Sequence, residues 1–175
     1  PSLGQDSIEK GKLSVLVGFI AVVFFMILYY GIAGIIADIA LFLNLLFVMA
    51  AMAAFGATLT FPGIAGMLLT VGMAVDANVI INERIKEELR AGKIVSDAID
   101  QGYDMAWSAI LDSNLTTVIT SFILWEFGTG PIKGFAITLL IGIASSMFTA
   151  IFVTKILFKY LLKAGVKTIF YKNEN

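Results

Sequence analysis

Apolar residues in this chain come in long blocks rather than in alternation, and the blocks have the length of membrane spans. A helix rising 1.5 Å per residue needs about 20 apolar residues to cross a hydrocarbon core of ~30 Å. Five blocks meet that length, at about 13–30, 36–55, 64–83, 107–127 and 134–158. Turn residues separate them: Gly31 and Gly34, the stretch Gly56 to Gly63 with Pro62, and Gly128-Thr-Gly-Pro131. Tyr29 and Tyr30 close the first block, and Trp107 and Trp125 bracket the fourth, as aromatic side chains do at membrane interfaces. The pattern predicts an all-α polytopic membrane protein with five transmembrane helices. It divides into a lead-in over 1–11, a transmembrane domain over 12–163 and a tail over 164–175. The polar stretch 84–106 is predicted to stay helical outside the bilayer. There Arg84 and Glu88 are spaced to pair at i,i+4, and Ser96 is placed to cap a short helix feeding the fourth span.

Lys and Arg then set the orientation. Arg84, Lys86, Arg90 and Lys93 fall between the third and fourth blocks, and Lys155, Lys159, Lys163, Lys167 and Lys172 fall at the end of the chain. Five crossings put these nine on one side, against Lys10, Lys12 and Lys133 on the other. Bases collect in cytoplasmic loops, so the chain is expected to start outside and end inside. The Tyr29–Ala37 turn also belongs inside, yet it carries no base.

Composition sharpens the class. The chain is 175 residues long, 59% hydrophobic and 14% charged, with mean hydropathy +0.93; soluble domains carry about 25% charged residues. A net charge of −1 gives no electrostatic case for nucleic acid. Cys and His are both absent, which removes thiolate and imidazole chemistry and the usual zinc and haem ligands. No nucleophile–base constellation stands in the sequence, so neither an enzyme nor a metal or cofactor is expected. The opening Pro1-Ser-Leu-Gly-Gln-Asp6 lacks a starting Met and a signal-peptide pattern, and reads as an internal segment of a longer protein.

Candidate chemistry begins at Asp76. From Ile39 to Asn82 it is the one charged residue, within Val71-Gly-Met-Ala-Val-Asp-Ala-Asn-Val-Ile80. A carboxylate at the centre of a spanning helix costs about 2.5–3.5 kcal/mol on insertion scales, and such residues mark ion or proton paths by default. The plainer alternative is an interhelical hydrogen bond that holds helices together. No Lys or Arg lies deep in any block, so this chain offers Asp76 no cationic partner. Asn114 enters the fourth span to a similar depth from the same side. If the third and fourth spans touch, Asp76, Asp112, Asn114 and Thr116 can form one polar cluster, with Asn78 beside it. Against this, Thr in membrane helices commonly bonds its own i−4 carbonyl, and Asp112 can reach the interface instead. Glu83 and Arg84 mark where the third span leaves the bilayer. Small residues recur every fourth position in the third span (Gly66, Thr70, Ala74, Asn78, Asn82) and in the fifth (Gly134, Thr138, Gly142, Ser146, Ala150, Thr154). Such faces let helix backbones approach closely in lipid, so Gly66, Gly72, Gly142 and Ser146 are expected at packing contacts.

These residues carry a resemblance. Gly72-Met-Ala-Val-Asp-Ala-Asn-Val79, followed by Asn82-Glu-Arg-Ile-Lys-Glu-Glu88, resembles the fourth transmembrane helix of the SecD proteins. Leu59-Thr-Phe-Pro-Gly-Ile-Ala-Gly66 is similar to the loop before it, Asp112-Ser-Asn-Leu-Thr-Thr117 to a D-A-N-x-T-T segment, and Gly128-Thr-Gly-Pro-Ile-Lys-Gly-Phe-Ala-Ile-Thr138 to a GTGxIKGFAIT signature. The match runs in order along essentially the whole chain. It implies most of one RND-type six-helix half, namely helices two to six, with a first helix and a large periplasmic domain outside this sequence. It implies a proton-conducting role for Asp76, an intramembrane arginine partner on SecF or a fused SecF half, and use of the proton-motive force in late protein export. The partners it implies are the SecY/SecE/SecG translocon, YajC and YidC, and a translocating polypeptide met through the periplasmic domain. A generic RND exporter half and a purely structural scaffold are the alternatives; the GTGxIKGF signature argues against the first.

Overall fold

The structure is a computed structural model that describes residues 2–57 and 60–170. Pro1, Thr58, Leu59 and 171–175 lie outside the described residues, and with them parts of the expected lead-in, the 56–63 loop and the tail. The helices are α1 (Ser2–Tyr30), α2 (Ile32–Ala54), α3 (Phe61–Arg90), α4 (Val95–Phe127), α5 (Pro131–Phe148) and α6 (Thr154–Lys163). A π-turn over Thr149–Val153 joins α5 to α6, so the fifth block is one continuous helical run. No β-strand occurs among the described residues. Two helices outrun their apolar blocks: α1 is already helical through the expected lead-in, and α3 continues to Arg90.

Helix ends follow local chemistry. Thr60 caps α3, its Oγ1 accepting from the Gly63 N–H at 3.1 Å, and Pro62 sits in the first turn, where its missing N–H costs nothing. Residues Gly56, Gly92 and Gly165 follow α2, α3 and α6 with φ of 64°, 87° and 88°. Each leads a paired C-terminal turn; after α6 the Gly165 N–H bonds Leu162 O at 3.1 Å and the Val166 N–H bonds Leu161 O at 3.0 Å. Ser96 does not cap α4. The helix starts from Ile94, without a side-chain cap, and Ser96 lies in its first turn.

Helix α3 is the hub, in contact with α1, α2, α4 and α5. Of its most apolar stretch 56% is buried, against 11% for α1, whose main helix contacts are with α2 and α3. Among the described residues four helical runs are long and apolar enough to cross a membrane: α1, α2, α3 and the α5–α6 run. Helix α4 has the length but falls short in hydropathy, since Asp112, Asn114 and a row of Ser and Thr interrupt it. It still packs between α3 and α5 as the fifth member of the bundle.

Small residues set the α3–α5 contact. A Cβ on Gly66 would lie 3.2 Å from Thr138 Cβ, and one on Gly142 would lie 2.4 Å from Thr70 Oγ1. Ser146 is buried on the same face of α5, its hydroxyl returned to Ile143 O at 2.9 Å. The end of the bundle that carries Glu83, the 84–106 hairpin and the end of α6, called the basic end below, holds the largest apolar core.

Candidate functional site

Asp76 and Asn114 share a cavity of about 300 Å³ between α3 and α4, lined also by Met73, Ala77, Val79, Ile80, Ser113 and Thr117. Asn114 is buried, with its Nδ2 donating to Ile110 O at 2.8 Å. That leaves its carbonyl oxygen as the amide's uncommitted acceptor. The Asp76 carboxylate has no hydrogen-bond or ion-pair partner among the described residues. Asp76 is exposed on the outer face of α3, in a line with Ala65, Leu69 and Gly72 at i+3 and i+4 steps. This face of the hub helix is left uncovered by the described residues.

The other expected members fall elsewhere. Asp112 and Thr116 are exposed and line no part of the cavity. The reason is helical phase: two residues turn a helix by about 200°, so Asp112 and Asn114 face opposite ways, while Thr116 follows Asp112 one turn on. Ser113 and Thr117, from the neighbouring row, take their places. Asn78, two residues from Asp76, is likewise turned inward; it is 4% exposed, and its Nδ2 donates to Ala74 O at 3.2 Å. Gly72 is not at a contact either, for a Cβ there would meet nothing within 4 Å.

At the basic end, Glu83 Oε1 accepts from Tyr30 Oη at 2.8 Å and lies 3.6 Å from Lys86 Nζ. Arg84 pairs with Glu87 at 2.8 Å rather than with Glu88. The turn at Gly92 brings Lys93 back onto Glu88 and Gln101, which takes Glu88 away from Arg84. Gly102 seats α4 against Ile85, where a Cβ would lie 2.9 Å from the Ile85 nitrogen.

Two further polar groups are prominent in the structure. The apolar block at 36–55 puts Asp38 at the head of its helix, but α2 begins at Ile32, so Asp38 sits nearly two turns inside it, with both carboxylate oxygens buried and without a hydrogen-bond partner. It shares a face with Gly34, which abuts the Met26 backbone of α1, and with Leu41, which packs with Phe19 and Val22. Asn44 is fully buried, and neither of its side-chain polar atoms has a partner. Both residues are visible in the sequence as polar positions in the second apolar block, and only the depth at which α2 starts was not.

Five packed helices of spanning length, with a carboxylate and an amide facing one cavity, define a polytopic membrane domain with a polar centre. Residues 1–164 match the family described as protein export membrane protein SecD/SecF, C-terminal, and the chain belongs to that family. It is 58% identical over 170 residues to protein translocase subunit SecD of Syntrophobacter fumaroxidans, covering 97% of this chain and 32% of that protein. It is also 58% identical over 162 residues to the SecD subunit of Rhodothermus marinus, covering 93% of this chain and 26% of the relative. The chain thus spans about a third or less of the length of these relatives. Among solved structures, SecDF of Thermus thermophilus, described as a translocon-associated membrane protein, superimposes with TM-score 0.91 at 40% identity, over 94% of this chain and 23% of that one. SecDF in a super-membrane-facing form superimposes with TM-score 0.87.

Proposed function

We propose that this chain is the membrane half of a proton-driven protein-export motor, with Asp76 binding and releasing the transported proton. The observation that carries the reading is an intramembrane carboxylate with no described partner, opening on a cavity that an amide and two hydroxyl-bearing residues also line. Asn114 and the Ser113 and Thr117 hydroxyls are the groups placed to pass a proton or a water to it; Asp112, Thr116 and Asn78 act at most from a distance. The uncovered face of Ala65, Leu69, Gly72 and Asp76 is where a SecF half would pack, and Gly72 would let its helix approach closely. That half would supply the cation missing here. One charge crossing ~100 mV is worth about 2.3 kcal/mol, enough to shift a two-state packing of helices tenfold or more.

Residues 12–163 form the membrane domain in this reading, with 84–106 and the end of the chain cytoplasmic and the start of α1 periplasmic. The nine-to-three distribution of bases supports that orientation in a bacterial inner membrane. The SecY/SecE/SecG translocon, YajC and YidC would be the neighbours. The emerging polypeptide would be gripped by parts of the protein beyond this chain, late in its passage.

The test is Asp76→Asn in the full-length protein, with export followed in cells and complex assembly followed in parallel. Asn keeps a hydrogen bond but cannot exchange a proton. Export is expected to slow at least tenfold with assembly intact. Normal export would leave Asp76 as a structural bond and refute the motor reading.

A further inference from the structure

The tail after α6 does not trail away. Gly165 reverses the chain, and Val166 to Phe170 run back to the turn between α1 and α2. Ile169 is fully buried and Phe170 is 3% exposed, both in one core with Met26, Tyr30, Ala33, Ile36, Ile81 and Ile85. The Ile169 carbonyl accepts the Ala33 N–H at 2.9 Å. That N–H is one of the orphan donors in the first turn of α2, whose N-cap, Gly31, has no side chain to satisfy it. Lys86 of α3 lies over three rings at once, 4.8 Å from the centroid of Tyr29, 5.0 Å from Tyr30 and 5.7 Å from Phe170. One cation therefore joins α1, α3 and the tail.

Elsewhere helix α1 is held more lightly: 11% of its most apolar stretch is buried, with Phe19 and Val22 half-buried against Leu41 and the Gly34 backbone close against Met26. Its large buried side chains are Met26 and Tyr30, one turn apart at this end. Higher up it meets α3 through glycines, Gly11 against Ile64 and Gly18 against Leu68, while Leu13, Leu16, Val17, Ile20 and Phe24 are exposed. Glycine faces permit close approach but interlock little.

We propose that residues 166–170 are a strap that fastens the α1–α2 turn to the ends of α3 and α6, fixing one end of α1 as a pivot. The proposal does not depend on what Asp76 does.

Amide hydrogen exchange on the full-length protein in lipid nanodiscs tests it, comparing wild type with Phe170→Ala and Lys86→Gln. Removing the Phe170 ring frees the carbonyl beside it. Exchange at Ala33 and its neighbours in the turn is expected to rise at least tenfold in Phe170→Ala and about threefold in Lys86→Gln, with α4 from Ala98 to Ala106 unchanged. A turn that exchanges as in wild type would show that the tail fastens nothing. Equal acceleration in the turn and in α4 would show that Phe170 is ordinary core, and either outcome would overturn the strap.

Discussion

At the basic end, Met26, Tyr30, Ile36, Ile81, Ile85, Ile99, Tyr103, Phe158, Ile169 and Phe170 close into one apolar core. Higher in the bundle the buried apolar residues form two small groups, Leu41 with Val71 and Ala74, and Val48 with Met52 and Met67. The polar groups divide in the same way. At the basic end Glu83 has Tyr30 and Lys86, Glu88 has Lys93, and Asp100 has Lys155 and Lys159. Within the apolar spans Asp38, Asn44, Thr70 and Ser121 carry buried polar atoms with no partner, and so does Asn82, where α3 reaches the basic end. The difference follows from the solvent. Near water, burying apolar surface is favourable and an ion pair can be completed locally. Among lipid tails an apolar side chain gains little by turning inward, and helices associate through close backbone approach instead. A polar group left single there either weakens the fold or answers to something outside the chain.

The largest expected effect breaks the packing half of this contrast. Gly142→Ala places a Cβ 2.4 Å from Thr70 Oγ1 and 2.5 Å from its Cγ2, at the α3–α5 contact. Overpacking of this kind costs about 1–3 kcal/mol. Thermal unfolding in detergent is expected to show that loss. Adding Thr70→Ala, which removes the two colliding atoms, is expected to recover most of it. A double variant no better than Gly142→Ala alone would mean that the backbones, not these side chains, set the approach.

A smaller effect separates partnered from unpartnered polar groups. Tyr30→Phe removes a 2.8 Å bond to the Glu83 carboxylate; bonds to charged groups contribute about 1.5–3 kcal/mol, and the 39% exposure of the Glu83 side chain brings this one down to about 1 kcal/mol. Asn44→Leu removes an amide with no partner and replaces it with an apolar group of similar size. In the chain alone it is expected to be neutral or stabilising by up to ~1 kcal/mol. Opposite signs in the two unfolding midpoints would sharpen the comparison. A loss at Asn44 matching that at Tyr30 would erase it.

The same division decides how much the sequence disclosed. Five apolar blocks, Thr60 before Pro62, and the glycines ending α2, α3 and α6 all state their structure locally, and the helices follow them. That Asp76 and Asn114 face one space between α3 and α4 was legible from depth. Excluding Asp112 and Thr116 needed only helical phase, because Asp112 and Asn114 are two residues apart. What no local pattern carries is long-range. Glu88 is taken by Lys93 through the turn at Gly92, and the end of a short mixed tail, Val166-Lys-Thr-Ile-Phe170, becomes core at Ile169 and Phe170 because Gly165 aims it at the α1–α2 turn. That turn lacks a base of its own, and Lys86 of α3 supplies one from the side.

The smallest expected effect is a pH dependence at the basic end. Asp100 Oδ1 lies 3.2 Å from both Lys155 Nζ and Lys159 Nζ. Partial burial pushes the Asp100 carboxyl up, but the Lys159 and Lys155 ammoniums outweigh it and hold the group below the usual carboxylate range. A carboxylate depressed on folding adds stability that is fully present above its unfolded value of ~3.9 and is lost as pH falls through the folded value. The contribution is therefore whole at neutral pH and disappears in acid. The side chains are partly exposed, so screening holds it to ~0.5 kcal/mol or less, a midpoint difference of about 1–2 °C for a chain of this size. Wild type is expected to exceed Asp100→Asn by that margin at pH 7, and the gap is expected to narrow progressively as pH falls below about 4 and to shrink at ~1 M salt. A gap that survives both acid and salt would mean that Asp100 holds α4 to α6 by shape rather than by charge, and the basic end would then resemble the middle of the bundle more than its ion pairs suggest.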